Sequence, residues 1–185
     1  MLVVISIIAI LAAVIVPNAF KAIEKAKIAR IISDCKNIEQ IALTHYVDTG
    51  EWPRIQQKHP TLMQPAGSMI SLIKNESNVP SWDGPYLDAQ PMNPLGGGYG
   101  FGFLAYPGNE SAGYRTPATY VITIVASEDN KALLRRKLDK IIDHDDGISK
   151  GKIRWDGVYP GMTKWIIREN ITGVRNTHGN LQYPY

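Results

Sequence analysis

An α+β fold is predicted: one long N-terminal α-helix, with a small antiparallel β-sheet head packed on its C-terminal half. Three observations predict it. The first twenty residues carry no charge, the next thirty keep apolar residues close to a helical period, and the remainder mixes Gly- and Pro-rich stretches with short β-branched runs. The 185 residues, 44% hydrophobic and 20% charged, suffice for one globular unit plus an appendage and are too apolar for intrinsic disorder. Twenty Lys and Arg against seventeen Asp and Glu leave +3, too little for a dedicated nucleic-acid binder, so nucleic acid is not indicated as a partner. Cys35 is the single cysteine, which excludes an intrachain disulfide and a cysteine-based zinc finger.

The organisation follows in three parts: 1–20 as a hydrophobic membrane or filament-core helix, 21–49 as its amphipathic continuation, and 50–185 as a globular α+β head. Met1 to Val16 reads MLVVISIIAILAAVIV, interrupted only by Ser6, and Pro17, Asn18, Ala19 and Phe20 prolong the uncharged run. Twenty helical residues span about 30 Å, the thickness of a bilayer's hydrocarbon core. The run is apolar on all sides, which calls for lipid or the centre of an assembly. Leu2, Val3, Ile5, Ile7, Ile8, Ile10, Leu11, Val14, Ile15, Pro17 and Phe20 are the residues expected to meet that membrane or assembly. A cleaved secretory signal would be followed by a break. Instead, apolar residues recur at Ile23, Ala26, Ile28, Ile31, Ile32, Cys35, Ile38, Ile41, Ala42 and Tyr46, with polar residues on the other face. Gly50 offers a C-terminal cap and Pro53 stops continuation, so the helix should end near Asp48 or Thr49. Nearly fifty residues at 1.5 Å rise make a rod about 70 Å long. Pro17 lacks an amide hydrogen and its ring clashes with the carbonyl of Ala13, so a kink or local unwinding is expected between about Ala9 and Pro17.

In the head, Met69–Ile73 suggests one or two helical turns, and Trp82-Asp-Gly-Pro-Tyr-Leu87 reads as a turn. Tyr99–Tyr106 is a candidate strand, and Tyr120–Val125 (YVITIV) is the best strand in the chain. Ser127 can cap a helix running to about Asp143, with Leu133, Leu134, Leu138, Ile141 and Ile142 on one face. Lys152–Trp155 and Thr163–Arg168 read as further strands, and Gly173–Tyr185 as an irregular tail.

LVVISIIAILAAVIVPN followed by an amphipathic helix resembles the N-terminus of type IV pilins and type II secretion pseudopilins, closely over Met1 to Pro53. Asp48-Thr-Gly-Glu-Trp-Pro53, WDGPYL and Pro91-Met-Asn-Pro94 with the glycines up to Tyr99 resemble the helix exit and following loop of the major pseudopilin. The resemblance implies a structural subunit of a type IV-like helical filament, either a secretion pseudopilus or a pilus. It also implies partners: copies of the chain in a homopolymer, minor pilins, a platform membrane protein, a cytoplasmic assembly ATPase, and the lipid bilayer before assembly. The location implied is the bacterial inner membrane, then a periplasmic pseudopilus or an extracellular pilus. Family precursors carry a basic leader, a cleavage site, a methylated aromatic first residue and a glutamate, which in register would immediately precede Met1. The given sequence has none of these, so a truncated form or an atypical member is expected. The basic cluster Lys21, Lys25, Lys27 and Arg30, against Glu24, would by the positive-inside rule favour a cytoplasmic head, opposite to the family arrangement. The alternative reading is a membrane-anchored binding or enzymatic domain that does not polymerise, which predicts a flexible linker after the apolar segment.

For chemistry within the head, Asp143-His-Asp-Asp-Gly147 sets Asp143, Asp145 and Asp146 beside a glycine turn, a supply of hard oxygen ligands for calcium. Pseudopilins of the resembling family bind calcium in a head loop, with a different ligand pattern, and the run does not fit the EF-hand template. Calcium is the one cofactor this pattern suggests. Asn75, Asn109 and Asn170 open Asn-X-Ser/Thr triplets that permit glycosylation. Catalysis is not expected: His45, His59, His144 and His178 are scattered, Cys35 and His45 do not share a helix face, and Gly96–Gly98 follows no phosphate-binding pattern.

Overall fold

The helical period and the Gly50 stop signal produce a single helix, α1, from Leu2 to Thr49. The computed structural model of the chain describes residues 2–54, 69–75, 78–104, 118–147, 150–155 and 162–171. Gly50 sits at φ +70°, the left-handed conformation that ends helices, and its amide still bonds to the Tyr46 carbonyl at 2.8 Å. Thr49 closes the end further. Its hydroxyl donates to the His45 carbonyl at 2.6 Å and accepts from the Glu51 amide at 3.2 Å.

The expected unwinding before Pro17 is not found, because α1 runs unbroken through it. Proline removes the bond to the Ala13 carbonyl, but the Asn18 side-chain amide donates to the next carbonyl, Val14, at 3.2 Å.

After α1 come a short helix α2 (Ile70–Ile73), strands β1 (Met92–Asn93), β2 (Gly97–Leu104) and β3 (Ala118–Val125), helix α3 (Glu128–Ile142), and strands β4 (Ile153–Arg154) and β5 (Met162–Ile171). The five strands form one antiparallel sheet in the order β1-β2-β3-β5-β4. Pairing of Phe101 with Ile122, Ile122 with Trp165, and Trp165 with Ile153 aligns four buried side chains in one row across four strands. Side chains alternate along a strand, so this row and its neighbours Tyr99 and Ile124 share one face. That face joins Ile28, Ile31, Cys35, Ile38 and Ala42 of α1 and Leu134 and Leu138 of α3 in one core. The opposite face holds a smaller buried pair, Val121 and Ile166.

The elements deviate from expectation in definite ways. The buried stripe on α1 is narrower than its apolar content: Ile23 and Tyr46 are exposed and Ala26 faces solvent, whereas the polar His45 is buried. On α3, Leu134 and Leu138 are fully buried but Ile141 is 51% exposed. Ser127 is the N-cap residue of α3, yet its side chain makes no capping bond to the backbone and accepts one from the Asn130 side-chain amide at 2.8 Å instead. β1 was not expected: two residues flanked by proline carry too little periodicity to announce a strand. The strand expected at Lys152–Trp155 is only Ile153–Arg154, while β5 extends beyond Thr163–Arg168 at both ends. Residues 105 and 106 of the expected Tyr99–Tyr106 strand, and the tail from Gly173, lie outside the described residues.

Candidate assembly surface and acidic cluster

Residues 3–20 form the first candidate site. No residue of the 18-residue apolar window is buried by the head, and its mean hydropathy is 2.6. The large side chains from Val3 to Phe20 are 49 to 72% exposed. Of the residues expected there, Val3, Ile5, Ile7, Ile8, Ile10, Leu11, Val14, Ile15, Pro17 and Phe20 all face outward along the projecting helix, and Leu2 lies at its first position. An isolated helix with apolar side chains all round and no partner is unstable in water, so it must sit in lipid or against other helices.

What makes this segment a tool rather than a tail is the fixing of the rest of α1. Buried residues fall at 28, 31, 35, 38, 42 and 45, alternating steps of three and four that keep one stripe on the head. Four acidic residues flanking the stripe are tied to five different parts of the head. Tyr99 of β2 donates its hydroxyl to Asp34 at 2.8 Å. Lys152, just before β4, and the indole N–H of Trp165 on β5 reach the two oxygens of Glu39 at 2.7 and 2.8 Å. Lys137 of α3 pairs with Glu24 at 2.9 Å. Tyr86 donates to Asp48 at 2.9 Å. Burial, and secondly the Asp34 carboxylate, raise the Tyr99 phenol above its ordinary range, so it stays a donor.

Tyr86 belongs to the WDGPYL turn, which straps α2 to the end of α1. The Tyr86 and Leu87 amides both bond to the Leu72 carbonyl, at 2.7 and 3.1 Å, and the Trp82 indole bonds to the Ser71 carbonyl at 3.0 Å. Trp82 meets Tyr86 edge-on with ring centres 5.6 Å apart. A Cβ at Gly84 would fall 2.5 Å from the Trp82 ring, so only glycine fits between these rings. Further on, the Asn93 amide bonds to the Val125 carbonyl and its oxygen accepts from the Leu95 amide at 2.9 Å. The strap residues singled out for resemblance are thus structural clasps.

His45 was overlooked as a core residue because histidine is polar and its ends look solvated. It is 1% exposed, its Nδ1 lies 3.0 Å from the Glu51 carbonyl, and its ring stands 5.3 Å from that of Tyr86. The contact with a carbonyl makes Nδ1 the protonated nitrogen, and burial lowers the imidazole's pKa, which favours the neutral form that braces the helix exit. Cys35 is fully buried as a small apolar residue.

The acidic run comes together differently from expectation. Asp143 and Asp146 converge with Asp139, one turn earlier on α3, while Asp145 is exposed and outside the group. One oxygen of each lies within 4.8 Å of the others. His144 and Asp145 at φ +59° and +62° turn the chain back, and the Asp143 carboxylate accepts the Ile153 amide at 2.5 Å. Burial first, then the charges of Asp146, Asp143 and Asp145, raise the Asp139 carboxyl above its usual range. The i, i+4 spacing of Asp139 and Asp143 was the available signal. Of the three sequon asparagines, Asn75 has both ends of its amide bound to Val79, at 2.7 and 3.1 Å. Asn109 lies outside the described residues, as does the side chain of Asn170 on β5.

A family model described as PilW, C-terminal, matches residues 22–103. The match starts where the bare segment ends and covers the amphipathic half of α1, α2, the strap, β1 and nearly all of β2. It supports a type IV pilus-associated family across 82 of the 185 residues, and does not single out a major pilin or pseudopilin. No curated protein and no solved structure matches the chain.

Proposed function

We propose that the chain is a structural subunit of a type IV-like filament, held in the inner membrane by residues 1–20 and then polymerised through the same residues. The observation that carries this reading is the bare apolar rod, 0% buried over its most hydrophobic window, rigidly continuous with a helix that the head clamps at five points. The mechanism is an exchange of apolar surroundings. In the membrane the rod is satisfied by lipid; once extracted it is satisfied by packing against copies of itself, with heads outside. A contact between different patches on identical subunits does not close on itself and propagates as an open helix. The match to a pilus-associated family supports the association with other pilus components. The chain acts by assembling, not by catalysis. Its filament serves as a secretion pseudopilus or an extended pilus; the likeness of WDGPYL to the major pseudopilin favours the former.

Ile8→Asp tests the reading in cells expressing the full chain. A carboxylate mid-rod costs about 2.5–3.5 kcal/mol even in a membrane, and more among packed helices. Electron cryo-microscopy of the sheared fraction should show filaments with a central bundle of these helices for wild type and none for the variant. Membrane-bound wild-type particles with no filaments would sink the proposal in favour of a non-polymerising anchored domain.

A further inference from the structure

We propose that Lys21, Lys25, Lys27 and Arg30, joined by Lys137 of α3, form a cationic collar that binds the phosphates of anionic lipid headgroups where the rod leaves the bilayer. Such binding rests on the membrane insertion proposed above and requires no polymerisation. Residues 1–20 carry no charge, and the four cations of α1 all fall within residues 21–30. All four are exposed, and among the described residues Lys21, Lys25 and Lys27 enter no ion pair. The carboxylate of that stretch, Glu24, is taken up by Lys137 at 2.9 Å, and the Lys137 side chain still stays 48% exposed. Arg30 is held only loosely, 3.8 Å from Asp34.

The positive charges run round the helix rather than along one side of it. At about 100° per residue, Lys25 lies roughly 40° from Lys21, Arg30 about 180° and Lys27 about 240°. Glu24, at roughly 300°, brings the Lys137 ammonium into the gap between Lys27 and Lys21. A partner helix would call for a stripe. A ring of charge fits a plane that surrounds the rod, as a headgroup layer does. The axial position agrees: Lys21 to Lys27 covers about 9 Å, close to the roughly 5–8 Å that headgroups add on each side of the hydrocarbon. Helical side chains lean towards the N-terminus, so the lysine stems are directed back along the rod, and their ammonium groups can donate to phosphate oxygens. A zwitterionic headgroup carries its own cation beside the phosphate, so the net attraction selects anionic lipid. The same cluster reads as an orientation signal in the sequence; a leaflet of anionic headgroups satisfies it on whichever side the head lies.

The test is electron spin resonance on the full chain reconstituted in phosphatidylcholine bilayers, with spin-labelled phosphatidylglycerol or spin-labelled phosphatidylcholine as the probe. An inserted rod slows a shell of both lipids; the collar makes that shell prefer phosphatidylglycerol. Each lysine beside an anionic headgroup multiplies affinity roughly fivefold, and averaging over the whole shell leaves a preference of about threefold or more at low salt. The preference should fall towards parity in roughly 0.5 M salt. Lys21→Gln combined with Lys27→Gln should at least halve it. Lys36→Gln combined with Lys74→Gln, two exposed lysines beyond the collar, should leave it unchanged. Thermal unfolding of the head should be the same in both double variants. A slowed shell without preference, a preference that ignores salt, or equal losses in the two double variants would each overturn the collar and leave the membrane reading standing. No slowed lipid of either kind would remove the membrane reading and the collar with it. Parity between the lipids, together with loss of filaments from the Lys21→Gln, Lys27→Gln variant, would overturn lipid binding and assign the collar to carboxylates of a second copy.

Discussion

The two halves of α1 are the same helix in two surroundings. From Val3 to Phe20 apolar residues occupy every face and none is covered; from Ile28 to His45 one stripe is covered and most of the rest is charged or polar, with Ala29 and Leu43 exposed among it. The helix does not change between them, and a proline inside it does not break it. What changes is the distribution of charge around the cylinder. A stripe asks for one partner surface, and the sheet supplies it within the chain. A cylinder apolar on all sides asks for partners all round, which a head of this size cannot supply.

The comparison breaks most visibly with the same substitution in each half. Ile31→Asp puts an unpaired charge in a fully buried site and should cost more than about 4 kcal/mol, abolishing the cooperative unfolding of the head followed by circular dichroism. Ile8→Asp should leave that transition within about 0.5 kcal/mol, since nothing in the head touches it. Equal losses would mean that the apolar half also contributes to the head.

Tyr99→Phe sharpens the second half of the comparison. It deletes the bond to Asp34 across 65 residues and should cost about 1.5–2 kcal/mol in denaturant titration at pH 7. The phenol's pKa is raised in the fold, so its contribution is complete below the unfolded value near 10 and shrinks as the pH rises above it. Wild type should therefore lose stability in alkali more steeply than the variant; parallel curves would refute the role given to burial.

Smaller effects follow at the helix exit and on the surface. Gly50→Ala meets no atom within 4 Å, so its cost is purely conformational, about 1 kcal/mol, and a stability change near zero would show that the exit relaxes. Lys137→Ala removes a half-exposed pair with Glu24 and should change stability by less than about 0.5 kcal/mol, a value that should fall further in high salt.

Both long elements were legible because periodicity averages over many residues: the end of α1 at Thr49, the α3 helix and the YVITIV strand stand where pattern placed them. The two-residue strands were less so. β1 lacked a pattern, and β4 is half the length its residues suggested, because the pairing partner and not the segment itself sets such lengths. The acidic site was half legible. Asp143 and Asp146 stood out as a run, but Asp139 reads as an ordinary helix-surface residue until α3 is seated on the core, and Asp145 belonged to the run without belonging to the group. His45 shows the same limit: its burial depends on Tyr86, 41 residues away in sequence, closing over the helix exit.

The amino-acid order by itself determined that a long helix would exist, that its first twenty residues would need an apolar surrounding, and that an α+β head would follow. Local propensity, charge pattern and capping are short-range quantities, and these conclusions need nothing else. Only the tertiary structure decided which residues of the amphipathic half are covered, which polar groups tie helix to head, and which carboxylates meet. Those depend on register and on contacts between residues far apart in the chain, where a shift of one position along a strand turns every side chain to the other face.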